Sequence, residues 1–141
     1  MKPTLGAGLA GTFQYRVPPE KTVPHVYPES AIFRAMPPVF ATAYMVGLLE
    51  WACMEAMQPH LDAGEQSVGT GIAVTHSAAT PPGFTVTVDV TLTRVEGRRL
   101  AFSVRAHDGV EVIGEGTHDR FVIERSRFDR KLQEKLAAAA S

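Results

Sequence analysis

The chain has 141 residues, 45% hydrophobic and 21% charged, which favours one domain with a real core and excludes disorder of the whole. With 14 Lys and Arg against 15 Asp and Glu the net charge is -1, so no broad basic field exists to hold a nucleic acid or an anionic membrane, and neither is expected as a partner. A single cysteine, Cys53, excludes an intrachain disulfide framework and a cysteine-based zinc cluster, and makes the cytoplasm the default compartment.

Residues 1–12 lack the charged start and continuous apolar core of a secretory signal. No stretch reaches the ~18–20 apolar residues that span a bilayer; the longest, residues 39–57, contains Glu50 and Glu55. Residues 12–17 (TFQYRV) alternate weakly and predict a first strand. Six prolines then fall between residues 18 and 38, a density that forbids a regular helix or a central strand. This segment also carries Val23, Tyr27, Ile32, Phe33 and Met36, too apolar for a solvated linker, which predicts a lid.

Residues 40–58 (FATAYMVGLLEWACMEAMQ) predict one strong helix, rich in Ala, Leu and Met, with Pro38 before it and Pro59 after it. It is apolar on nearly every face, the mark of a helix surrounded by protein. Residues 60–66 form a polar loop. Four strands follow over residues 68–78, 84–95, 98–107 and 110–124, with turns at Thr80-Pro81-Pro82-Gly83, at Glu96-Gly97 and at the hairpin dipeptide Asp108-Gly109. In the tail, residues 125–141, Phe128, Leu132 and Leu136 recur every four residues, predicting a short amphipathic helix. One buried helix followed by a meander of antiparallel strands is an α+β pattern with the helix lying on the sheet. A single helix leaves a long sheet edge and an apolar margin for a dimer partner to cover.

Glu50 is the odd residue of the helix, its neighbours Val46, Gly47, Cys53 and Met54 being apolar. A carboxylate in such surroundings either finds a donor or takes up a proton. It suits acid–base or nucleophilic work, or it is a structural group paired with an arginine. Glu55, near the helix end, reads as a solvated charge. His76 shares one strand face with Val68, Thr70, Ile72, Val74 and Ala78, while Gly69, Gly71 and Ala73 take the other. It is a satisfied core histidine or a general base. Thr42 is an N-cap or a site residue. Thr42 and Glu50 are eight residues apart, ~12 Å along a helix axis. Either a site using both straddles two subunits, or Thr42 lies off the helix in the preceding loop. Cys53 reads as a packed thiol. His25, His60, His107 and His118 show no metal-ligand spacing, so no metal is expected.

The segments VFATAYMVGLLEWACMEAM, VGTGIAVTHSAATPPGFTVTV, VEGRRLAFSVRAHDG and IGEGTHDR, in this order, resemble the fluoroacetyl-CoA thioesterase group of hot-dog proteins, from about residue 17 to residue 130. The resemblance implies a hot-dog fold in which an antiparallel sheet wraps a long central helix, a single domain over residues 1–141, and a homodimer. It implies hydrolysis of a short-chain acyl-CoA, fluoroacetyl-CoA first, with no cofactor, CoA being part of the substrate. It places catalysis on Thr42, Glu50 and His76, fluorine recognition on Gly69 and Arg120, and a lid contact on Phe33. Met36 stands where the family's fluoroacetyl-specific member carries phenylalanine, and a flexible thioether there leaves a broader acyl-CoA or biosynthetic thioesterase as the second enzymatic reading. A non-catalytic acyl-CoA-binding protein is the third.

Overall fold

The fold was read from a computed structural model that describes residues 1–140. Its centre is the predicted helix, α2 (Thr42–Met57), which buries Met45, Leu48, Leu49, Ala52, Cys53 and Met57. These meet the inward side chains of one five-stranded antiparallel sheet: β1 (Ala10–Arg16), β2 (Glu65–Val74), β3 (Thr85–Glu96), β4 (Arg99–His107) and β5 (Val112–Glu124). Alternation in β3 and β4 sends Val86, Val88, Val90 and Leu92, then Leu100, Phe102, Val104 and Ala106, into the core. Each of these Val, Leu and Phe side chains contributes about 1.5–3 kcal/mol on burial.

The strand order is β1-β3-β4-β5-β2, so the chain leaves the helix, forms one edge of the sheet as β2, and crosses to the far side for β3. Among the described residues β2 pairs with β5 alone, and its other edge has no strand partner. α2 is covered on one side only, and Ala43, Gly47, Trp51 and Met54 remain exposed, so within one chain the helix is not surrounded as its composition predicts. Trp51 rests on Phe13 of β1, with ring centroids 4.6 Å apart.

The helix starts two residues later than its composition suggests. Phe40 N–H donates to the Thr80 carbonyl and Ala41 N–H to the Lys21 carbonyl, which holds both residues extended. Ala41, not Thr42, is the N-cap, and no side chain caps this end. The proline-rich segment forms two 3-10 turns and one short helix, α1 (Ala31–Arg34), whose first turn is capped by Ser30. It is tied at its ends by Val23 N–H to the Val39 carbonyl and by the Lys21–Ala41 bond. The tail is a helix, α3 (Arg125–Ala140), with Leu132 and Leu136 exposed. No helix among the described residues is long and apolar enough to cross a membrane.

The turn after β4 spans four residues, and the buried Asp108 organises it. Its carboxylate accepts from the N–H groups of Val110 and Glu111 at 3.0 and 3.1 Å and from Thr80 Oγ1 at 2.9 Å. Burial alone would raise its pKa, but these donors outweigh it and the net shift is downward. The stability it contributes is therefore present above the ordinary aspartate value and lost as pH falls through the lowered one. Asp108→Ala leaves two turn N–H groups and the buried Thr80 hydroxyl without that acceptor, and we expect a loss of about 1–3 kcal/mol in urea unfolding.

Candidate active site

Two polar clusters lie on the helix side of the sheet. In the first, Thr42 is the first residue of α2, and its hydroxyl meets His76 Nδ1 at 2.7 Å rather than capping the helix. His76 follows the end of β2 instead of lying within a strand, yet Thr75 and Ser77 on either side donate N–H bonds to the Glu115 and Ile113 carbonyls of β5. The segment is thus held extended, and its imidazole points back to the helix start. His76 Nε2 is buried and has no hydrogen-bond partner among the described residues. Burial pushes this imidazole below the ordinary histidine value of 6.5, against a smaller upward pull from the Ala78 backbone. A histidine kept neutral, with a bare buried nitrogen, is equipped to take a proton from a bound reactant.

The second cluster is built round Arg120, 3% exposed on the inner face of β5. Its Nε donates to Ser67 Oγ at 2.8 Å and its Nη2 to the Ser67 carbonyl at 2.9 Å. Its Nη1 donates to Glu50 Oε2 at 2.9 Å and to His118 Nε2 at 3.1 Å. Of the two outcomes open to Glu50, finding a donor is the one realised. The side chain is 36% exposed, only Oε2 is held, and Oε1 accepts no hydrogen bond among the described residues. A carboxylate fixed through one oxygen with the other open can attack a carbonyl or activate water.

Gly69 belongs to this cluster, on the same side of the sheet as His76, where strict alternation puts the two on opposite faces. Gly69 pairs with Arg120 but Gly71 pairs with Asp119, so Thr70 is an extra residue, a β-bulge. The bulge shifts the period by one, placing Ser67 and Gly69 on the helix side of the sheet before it and Val74 and the still exposed Ile72 on that side after it. Gly69 thereby comes so close that a Cβ there would lie 2.6 Å from Glu50 Oε2. The atom it would strike is the tip of a flexible side chain, so Gly69→Ala displaces the carboxylate at little cost to the fold. We expect at least about a tenfold loss of turnover with a Tm within a few degrees of the parent, from the loss of positioning.

The structure thus joins Thr42 to His76, and Glu50 to Gly69 and Arg120. Both Thr42 and Glu50 lie on α2, so the two clusters are ~12 Å apart along one straight helix. Thr42 does not sit off the axis in the preceding loop, so one chain alone does not bring the two clusters together. Phe33 packs on Tyr27, with ring centroids 5.4 Å apart, and Met36 is 46% exposed; neither bonds to the two clusters. Cys53 is buried and its pKa is pushed up to about 12, chiefly by burial, which leaves it a protonated, unreactive thiol at neutral pH. No group of three or more His, Cys, Asp or Glu among the described residues could hold a metal ion. Ser67 and His118 were not singled out from the sequence. The signal for His118 was its spacing of two from Arg120, which puts both on one strand face.

A family model described as fluoroacetyl-CoA-specific thioesterase matches residues 17–126. A fluoroacetyl-CoA thioesterase of Streptantibioticus cattleyicolor is 56% identical over 138 residues, 98% of this chain and 99% of that protein. A solved fluoroacetyl-CoA thioesterase superposes with a TM-score of 0.89 at 57% identity, covering 92% of this chain and 96% of that one. A mutant of such an enzyme, solved in complex with fluoroacetate and CoA, gives 0.85 at 59% identity over 86% and 98% of the two chains. A hypothetical protein of Thermus thermophilus, a thioesterase superfamily member, gives 0.84 at 28% identity over 98% and 99%.

Proposed function

The chain belongs to the fluoroacetyl-CoA-specific thioesterase family, and on that premise we propose that it hydrolyses fluoroacetyl-CoA to fluoroacetate and CoA at a site completed by two copies of itself. The observation that carries this reading is the pair of half-sites on one helix, a Thr42–His76 pair and a Glu50–Arg120 pair, each lacking what the other holds. The free edge of β2, with its small residues Gly69, Gly71 and Ala73, and the uncovered face of α2 supply the surface for a second copy. Across such a two-fold axis Thr42 and His76 face Glu50 of the partner subunit.

In this site the hydroxyl of Thr42 and the free N–H groups of the first turn of α2 hold the thioester carbonyl and stabilise the developing oxyanion. The open carboxylate oxygen of Glu50 either attacks the carbonyl carbon and expels the CoA thiolate, leaving a mixed anhydride that water then cleaves, or orients the water that attacks the carbonyl directly. His76, its Nδ1 turned to Thr42, takes the proton of that water at Nε2, and the CoA thiolate gains its proton from the ring or from solvent. The fluorine withdraws electrons and makes the carbonyl more electrophilic. Arg120 and the Gly69 backbone offer it positive partners, and Phe33 and Met36 close over the acyl group from the proline-rich lid. The chemistry asks for no cofactor or metal, and a lone buried thiol suits the cytoplasm.

The direct test is kcat/KM for fluoroacetyl-CoA against acetyl-CoA and longer acyl-CoA esters. We expect fluoroacetyl-CoA to be the best substrate, since the ratio reads differential transition-state binding. A flat profile across the panel would favour the broader thioesterase that Met36 permits, and binding without hydrolysis would refute the assignment.

A further inference from the structure

We propose that His118 is a positioning residue for this hydrolysis, acting through Arg120 to hold Glu50 in its working orientation; the catalytic part of the claim rests on the function proposed above. His118 is 2% exposed and lies between two partners that each permit one role. Its Nδ1 is 2.7 Å from the carbonyl oxygen of Gly71, which can only accept, so Nδ1 carries the proton. Its Nε2 is 3.1 Å from Arg120 Nη1, which can only donate, so Nε2 presents a lone pair. The ring is therefore a neutral imidazole in one tautomer. Although Nε2 lies 4.0 Å from Glu50 Oε2, it has no N–H to offer that carboxylate and does not compete with Arg120 for it.

Arg120 Nη1 is the junction of the cluster, its two N–H groups divided between Glu50 and His118. Ser67 fixes the guanidinium from one side through Nε and Nη2, and His118 fixes it from the other. Without the imidazole acceptor, one buried N–H loses its partner and the guanidinium is free to turn about its Ser67 contacts, taking Glu50 Oε2 with it. The second bond reinforces the first. Gly71 directly follows the bulged residue Thr70, so the Nδ1–H bond also pins the irregularity that turns Gly69 toward Glu50. One side chain thus links the bulge, the guanidinium and the carboxylate.

Two substitutions separate these bonds. His118→Gln places an amide oxygen near the Nε2 position and keeps an acceptor for Arg120. His118→Asn places an amide N–H near the Nδ1 position and keeps the donor to Gly71, but leaves Arg120 unpartnered. We expect His118→Asn to lower kcat for fluoroacetyl-CoA by about tenfold to a hundredfold with KM within about threefold, and His118→Gln to keep kcat within about threefold of the parent. Equal kcat losses in the two variants that follow their Tm losses, or an undiminished kcat in His118→Asn, would overturn the proposal. The tautomer is read independently of activity from the imidazole 15N spectrum of the whole protein. A protonated Nδ1 and a bare Nε2 at His118 are expected, and a protonated Nε2 would overturn the geometric claim. If the wild type hydrolysed no acyl-CoA while the spectrum showed the expected tautomer, the catalytic part would fall with the proposed function and the link to Arg120 would stand.

Discussion

Glu50→Gln should lower kcat/KM for fluoroacetyl-CoA by about a thousandfold or more, one of the two largest effects expected of a single substitution in the chain. The amide keeps the shape of the side chain and an oxygen for the Arg120 Nη1–H, so the cluster stays assembled. What disappears is the negative charge and the basic oxygen now open at Oε1. The loss should fall in kcat, because an interaction made only in the transition state is the one removed. Stability should change too, since the substitution leaves a guanidinium that is 3% exposed without its counter-charge. Because Glu50 itself is partly open to solvent, that cost is smaller than for a fully buried pair. Wild-type turnover by the variant on every acyl-CoA tried would remove Glu50 from the chemistry and leave it a structural partner of Arg120.

The second large effect belongs to His76. Its replacement by Ala should cost about 10²–10⁴ in kcat/KM, the range for removing a positioned acid–base group. The pH profile carries more information than the size of the loss. The neutral ring is the working form, and burial holds its pKa below the ordinary value of 6.5. Activity should therefore stay level from neutrality down past pH 6.5 and fall only below it. The sign follows from desolvation, which disfavours the imidazolium and outweighs the smaller upward pull of the Ala78 backbone. An acid limb centred above 6.5 would mean that a carboxylate facing the ring in the working dimer stabilises the imidazolium more than burial disfavours it, and would remove burial as what sets this limb.

The layer architecture was legible because hydrophobic period reports it directly: the alternation of β3 and β4 and the apolar run of α2 leave few ways to build a core. Glu50 was legible as a lone carboxylate on a greasy helix. Its partner was not, because Arg120 is seventy residues away and reaches Glu50 only once β5 is sandwiched between β4 and β2, a strand order that period does not encode. Gly69 was misplaced by alternation for a local reason, since one extra residue at Thr70 reverses the face of everything before it. Thr42 looked like a cap from its position, but the backbone bonds of Phe40 and Ala41 moved the cap back one residue and freed the hydroxyl for His76. The resemblance to a known family pointed to Thr42, Glu50, His76, Gly69 and Arg120, which the structure gathers into two clusters. The spacing of Thr42 and Glu50 left a site shared by two subunits as one of two options, and the structure adds which partner each of them takes.

That division into halves is tested by mixing two inactive chains. Glu50→Gln and His76→Ala, co-expressed with different affinity tags, form mixed dimers in which one site joins a native His76 from one chain to a native Glu50 from the other. Random pairing should restore about a quarter of wild-type activity to the mixture, since half of the two-fold dimers then hold one intact site of two. If mixed dimers recovered through both tags show no more activity than the parent variants, the two groups do not meet across subunits and the account is wrong.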